Sequence, residues 1–228
     1  MSVGKGWCGF LLNADIPVQD IIICLTPYFH MMPKAIRTGR LLLKTLIILI
    51  PYGIKSSTFP IYNLPIFHIA WKICYPSKFE FDLYAKKTIT GMPCGVVSGY
   101  PRIDVFFGKN VNLHFDWKMA RPDAKKIIYA PHWSINGGVK YATFQWNYRF
   151  MYEFAKAHPE ISWVVKPHPL LLSSAVDNKI FPSVEAYQDY LQKWNDLPNA
   201  QVYTGGYYQA IFVTTDGMIQ DCGSFIAE

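Results

Sequence analysis

Short apolar runs alternate with longer amphipathic stretches along the chain, a pattern that predicts an α/β protein. Ile21-Ile22-Ile23-Cys24-Leu25 reads as a strand buried on both faces, ended by Thr26-Pro27. A helix is expected over 34–44 and a second buried strand from Thr45 to Ile50, stopped by Pro51-Tyr52-Gly53. Helical rhythms follow at 62–73 and 78–89. A short strand, Gly95-Val96-Val97-Ser98, then ends at Gly99-Tyr100-Pro101. Residues 106–125 lose periodicity and carry Gly108, Asn110, Asn112, Pro122 and Asp123, the composition of a linker.

The second half repeats the alternation more cleanly. Strands are expected at Lys126–Ala130, Ile161–Val165, Ala200–Tyr203 and Gly217–Gln220. Helices are expected at Thr143–His158, from Pro182 to about Trp194, and at 207–213. Strands joined through helices pair in parallel with right-handed crossovers. The chain stops at Glu228, just inside a helix that would begin near Gly223, so a truncated second domain is expected.

Composition supports a packed core: 51% of residues are hydrophobic and 17% charged, which argues against disorder. The net charge of +6 suits a mildly basic soluble protein. It equally suits attraction to a phosphorylated substrate, an acidic polymer or an anionic membrane surface. Nucleic acid is not expected as a partner, because Lys and Arg are scattered and no nucleic-acid motif occurs. Five Cys, an odd number at wide spacings without zinc-site pairing, point to reduced thiols in the cytoplasm. No signal peptide is evident. The most apolar run, Leu41 to Pro51, contains Lys44 and is shorter than the roughly twenty residues of a membrane-spanning helix.

In an open parallel sheet, ligands bind beyond the carboxyl ends of the strands. Four segments of the second half fall there: Ala130–Ser134, Lys166–Pro169, Thr204–Gly206 and Asp221–Ser224. His168 lies between two prolines that fix the backbone. A rigid loop holding an imidazole suits a phosphate oxygen or a proton transfer, or is an ordinary loop histidine. Lys166 would add positive charge unless strand alternation turns it to the other side. Asp221 and Ser224 flank a strand-to-helix turn that can bind phosphate or simply be capped. His132 neighbours Ser134 and Gly137-Gly138, but no GxSxG elbow supports a hydrolase triad. No GxGxxG or P-loop occurs, so neither dinucleotide redox chemistry nor kinase-type use of ATP is expected. His30, His68, His114 and His158 read as structural or surface residues. No carboxylate cluster suggests a metal, and no cofactor is expected.

The order of motifs resembles the CDP-glycerol glycerophosphotransferase family. The resemblance rests on GVVSGYPRID (95–104), KIIYAPHWS (126–134), MYEFAKAHPEISWVVKPHP (151–169) and DGMIQDCGSFIAE (216–228), and covers roughly 45–228. It implies a fold of two Rossmann-like domains of glycosyltransferase-B type, the second incomplete. The domains would be an N-terminal acceptor-side domain over 1–107, a linker over 108–125 and a nucleotide-donor domain over 126–228. It implies that His168 contacts the donor phosphates or assists transfer, that Gly223 and Ser224 bind phosphate, and that Asp221 supports their loop. With the strand-edge reading, the candidate catalytic residues are His168 and His132. The candidate substrate-binding residues are Lys166, Ser134, Gly205, Asp221, Gly223 and Ser224.

The implied activity is transfer of glycerol phosphate from CDP-glycerol to a surface polysaccharide or lipid-linked acceptor. The protein would be cytoplasmic, with peripheral contact at the inner face of the membrane. The alternatives are a nucleotide-sugar glycosyltransferase of capsule or lipopolysaccharide synthesis, or a non-catalytic remnant. Cys222 and Gly223 depart from the family's Asp-Tyr-Ser-Ser segment. IPYGIK (50–55) lacks the histidine that serves as base in the family's first domain, so either another base is used, such as His132 or His68, or this copy is not active.

Overall fold

The computed structural model describes residues 20–28, 31–32, 34, 44–54, 61–91, 94–108, 113–138, 140–221 and 225. They belong to two compact units that part between Asp104 and Val105. The helix expected over 34–44 lies almost wholly outside the described residues, as do His30, Cys222, Gly223 and Ser224.

The first unit is a parallel sheet of β1 (Ile21–Cys24), β2 (Leu46–Leu49), β3 (Lys72–Tyr75) and β4 (Gly95–Val97), in that spatial order. Its core gathers Cys24, Ile47, Leu49, Ile73 and Tyr75 from the strands with Ile66, Phe67 and Tyr84 from helices α1 (Ile66–Ile69) and α2 (Lys78–Lys87). Ser77 starts α2 by accepting the Glu80 N–H at 3.1 Å. The expected helix over 62–73 is corrected here. A 3-10 turn (Ile61–Asn63) and α1 occupy its first part, and Ala70 turns extended to let β3 begin. Ile66, Ile69 and Ile73 mimic a helical stripe, yet Ile73 and Tyr75 are buried by strand alternation.

The second unit is a parallel sheet of β5 (Lys125–Ala130), β6 (Ile161–Val165), β7 (Ala200–Val202) and β8 (Gly217–Gln220). The spatial order is β7-β6-β5-β8. Both faces are covered, so the strands are apolar nearly throughout. On one face Tyr129, Trp163 and Val165 pack against α3 (Phe144–Ala157), α4 (Leu171–Asp177) and α5 (Val184–Asp196) through Phe144, Met151, Leu171, Tyr190 and Trp194. On the other, Ile128, Ala130 and Val164 meet Tyr208 and Ile211 at α6 (Gln209–Thr214). Residues 113–119 form neither helix nor strand, and Phe115 and Trp117 pack on this second face. The Trp117 indole N–H donates to Thr214 Oγ1 at 2.8 Å. Within the stretch that lost periodicity, therefore, Phe115 and Trp117 serve the second unit's core, while Phe107 is exposed.

The chain builds β5, β6 and β7 outward in one direction, then returns to place β8 on the other side of β5. The direction of winding reverses between β5 and β8. In open parallel sheets, ligands bind outside the carboxyl ends of the strands at such a reversal.

Candidate functional site

The site is built by strand register. Lys125 pairs with Ile161 and Tyr129 with Val165. Carried beyond the strand ends, the same offset sets Pro131 beside Pro167 and His132 beside His168. Proline has no N–H to donate, so the ladder can no longer run unbroken and the chain leaves the sheet. One bond still ties the two loops: the His168 N–H donates to Pro131 O at 3.1 Å. The two imidazoles end with centroids 5.2 Å apart, and Trp133 packs 6.0 Å from His168.

Each ring is fixed in the same way. The Leu170 N–H donates to His168 Nδ1 at 3.1 Å. The Ser134 N–H donates to His132 Nδ1 at 3.2 Å, and Ser134 Oγ lies 2.8 Å from that nitrogen. A backbone N–H can only donate, so Nδ1 is the acceptor in both rings and the neutral ring carries its proton on Nε2. Burial pushes the His132 imidazole below its ordinary value, opposed by Asp221. His168 is pushed down to about 4, first by burial, then by His132 and Lys166.

Asp221, just past β8, closes the switch point. Its Oδ2 accepts the His132 N–H at 2.7 Å. Its Oδ1 accepts the Thr143 N–H at 3.0 Å and the Thr143 hydroxyl. Thr143 begins α3, and its Oγ1 accepts from Asn147, whose carbonyl accepts the Tyr129 hydroxyl at 2.9 Å. One network thus joins β8, the loop after β5 and the start of α3. Ser134 is fully buried and its Oγ accepts the Tyr141 N–H at 3.0 Å, pinning the loop that carries Gly137 and Gly138.

Of the expected site residues, His132, His168, Ser134 and Asp221 come together at this edge. Ser134 and Asp221 turn their polar atoms toward protein, so they hold His132. Lys166 is engaged too: its Nζ donates to Gly205 O at 3.1 Å and sits over the Tyr203 and Tyr208 rings at 5.4 and 5.2 Å. Gly205 supplies that carbonyl where the backbone runs close to Tyr203; a Cβ there would fall 2.5 Å from the Tyr203 hydroxyl oxygen. Elsewhere, His114 pairs with Asp116 and His158 with Glu160, each at 2.7 Å on the surface. His68 lies in the first unit, its Nδ1 3.5 Å from Thr90 Oγ1. Trp133, Tyr141 and Thr143 were not singled out from the sequence. Only Thr143 left a signal, as a capping-type residue at the head of a helical stripe.

No family model and no curated protein matches the chain. Among solved structures, the chain is similar to the UDP-GlcNAc 2-epimerase of Neisseria meningitidis bound to UDP-GlcNAc, with a TM-score of 0.55 and 14% identity over 90% of this chain. The fold is glycosyltransferase-B-like. It is an α/β fold with two parallel-strand sheets of Rossmann type, as the alternation and the resemblance both lead one to expect. The likeness covers 54% of the epimerase, so the chain spans about half its length. At 14% identity it carries the fold and no more.

Proposed function

We propose that the chain acts on a nucleotide-diphosphate-activated donor, held at the carboxyl edge of the second unit's sheet. The observation that supports this reading is the convergence of His132 and His168 at a switch point whose loop is clamped by Asp221. Anionic ligands of Rossmann-type sheets bind at such reversals. The net charge of +6 favours an anionic ligand as well.

Within that class, the motif resemblance selects transfer of glycerol phosphate from CDP-glycerol. An acceptor hydroxyl oxygen attacks the phosphorus that bears glycerol. The P–O bond to the bridging oxygen breaks, CMP leaves with that electron pair, and the hydroxyl proton passes to solvent water. Positioning and neutralisation of phosphate charge carry the rate. The acceptor is a surface polysaccharide or a lipid-linked precursor. A second reading, a nucleotide-sugar enzyme, draws on the likeness to a protein solved with UDP-GlcNAc.

Labelled CDP-glycerol and labelled UDP-sugars offered with envelope acceptors separate the two. Label transferred from CDP-glycerol is the expected outcome. Transfer from UDP-sugars alone overturns the CDP-glycerol reading, and calorimetry that finds no affinity for CDP, CMP or UDP leaves a non-catalytic remnant. Among the described residues no helix is long and apolar enough to cross a membrane. Contact with the membrane is proposed as peripheral and electrostatic: sedimentation with anionic vesicles should be strong at low salt and lost at high salt.

A further inference from the structure

The two strand ends repeat each other. Ala130-Pro131-His132 and Lys166-Pro167-His168 leave adjacent parallel strands in register. In each, the imidazole Nδ1 accepts the N–H of the residue two further on, Ser134 in one case and Leu170 in the other. Neither Nε2 has a protein partner among the described residues. Both rings are half-buried and stand 5.2 Å apart. Two backbone donors therefore select one tautomer twice, side by side, and leave two N–H groups uncommitted at one sheet edge.

We infer that His132 and His168 form a paired, uncharged hydrogen-bond fork that grips the two phosphates of a diphosphate through their Nε2–H groups. The inference deepens the proposed function and rests on its reading of the site as diphosphate-binding. Three chemistries compete for a histidine pair. A metal ion needs the Nε2 lone pair, which this tautomer has given to a proton. A general base needs a free ring nitrogen, but Nδ1 is occupied by backbone N–H and Nε2 is already protonated. An oxyanion needs donors, and two are present. Lys166, whose charge acts on His168, is held by Gly205 and two tyrosine rings. It supplies field rather than a free ammonium. The Asp221 carboxylate is turned to His132 N–H and Thr143, so its charge is partly spent before it reaches the anion.

The test reads the rings directly. The full chain is prepared with 15N-labelled histidine, and ring signals are assigned with the variants His132→Gln and His168→Gln. At neutral pH both rings should show protonated Nε2 and unprotonated Nδ1. Titration with inorganic diphosphate should move both Nε2–H signals together. A ring found protonated on Nδ1 overturns the fork, and so does movement of one ring only or of neither. His132→Phe and His168→Phe should each weaken diphosphate binding by at least about tenfold, the scale of a hydrogen bond to a charged group. The Gln variants keep an N–H near the Nε2 position and should retain most of the affinity. A Phe variant that melts cooperatively and binds diphosphate like the parent also overturns the fork.

CDP-glycerol and UDP-GlcNAc separate this inference from the reading it rests on. If diphosphate moves both rings but neither nucleotide binds more tightly than diphosphate, the fork stands and the donor assignment falls. If a nucleotide binds tightly without moving the rings, the donor assignment stands and the fork falls.

Discussion

Asp221 uses both carboxylate oxygens inside the protein, on the His132 N–H and on the N–H and hydroxyl of Thr143. The resemblance implies that it supports the loop, and both oxygens are spent on positioning protein groups. Asp221→Ala strands three donors near the protein surface. It should destabilise by about 2 kcal/mol, within the range for unpaired donors of a charged acceptor, and should weaken binding of a diphosphate ligand. A urea melt and a calorimetric titration check the two effects. His168 gives a pH prediction. Its folded value, about 4, lies below its ordinary 6.5, so folding favours the neutral ring. That contribution is whole above pH 6.5 and is lost as pH falls toward 4. The ring is partly open to water, so screening reduces the effect to on the order of 1–2 kcal/mol. His168→Gln should therefore lose less stability than the parent between pH 7 and pH 4.5, by about that amount, in melts across pH. At this scale the sequence revealed which residues stand at the strand ends. It could not show which way Ser134, Asp221 and Lys166 face, because orientation depends on partners up to 89 residues distant.

Asn199 shows how an element can depend on one side chain outside it. It is buried before β7, and its amide nitrogen donates to Ala155 O at 2.9 Å, His158 O at 3.1 Å and Ile161 O at 2.9 Å. These carbonyls lie at the end of α3, in the turn after it and at the start of β6, where the helix has no partners of its own to offer. Asn199→Ala should cost about 2–3 kcal/mol, as several buried acceptors lose a donor at once. Asn199→Asp should cost more, because it sets a carboxylate against three carbonyl oxygens. The urea midpoint should fall with the slope unchanged. Elements with a long period were legible: α3 and α5 follow their apolar stripes closely. Two short ones were not. Helix α4 is only seven residues long and opens with Leu-Leu-Ser-Ser, too brief to set a rhythm. Strand β3 hid because its buried residues continue the spacing of α1 before it.

At the scale of the molecule, the alternation of runs was enough to predict parallel sheets, because buried parallel strands and their crossover helices differ so strongly in pattern. The reversal at β8 was not written in the pattern. Nothing local to Gly217–Gln220 says that it pairs with β5 rather than β7, and that choice sets the reversal of winding between β5 and β8. Each unit has a core of its own, which makes their stabilities separable. Five of the seven tryptophans, Trp117, Trp133, Trp146, Trp163 and Trp194, fall in the second unit. Tryptophan emission therefore reports mainly on the unit with the candidate site, while far-ultraviolet circular dichroism reports on both. A ligand held at the carboxyl edge of β5, β6 and β8 stabilises the unit it binds, by about 2.7 kcal/mol at a hundredfold excess over its Kd. Addition of CDP should then move the urea midpoint of emission upward and leave part of the dichroism transition where it was. Trp133 packs against His168, so its emission should also change on binding before any denaturant is added. If emission and dichroism shift together by equal amounts, the two units unfold as one, and the second does not carry the ligand's stabilisation alone.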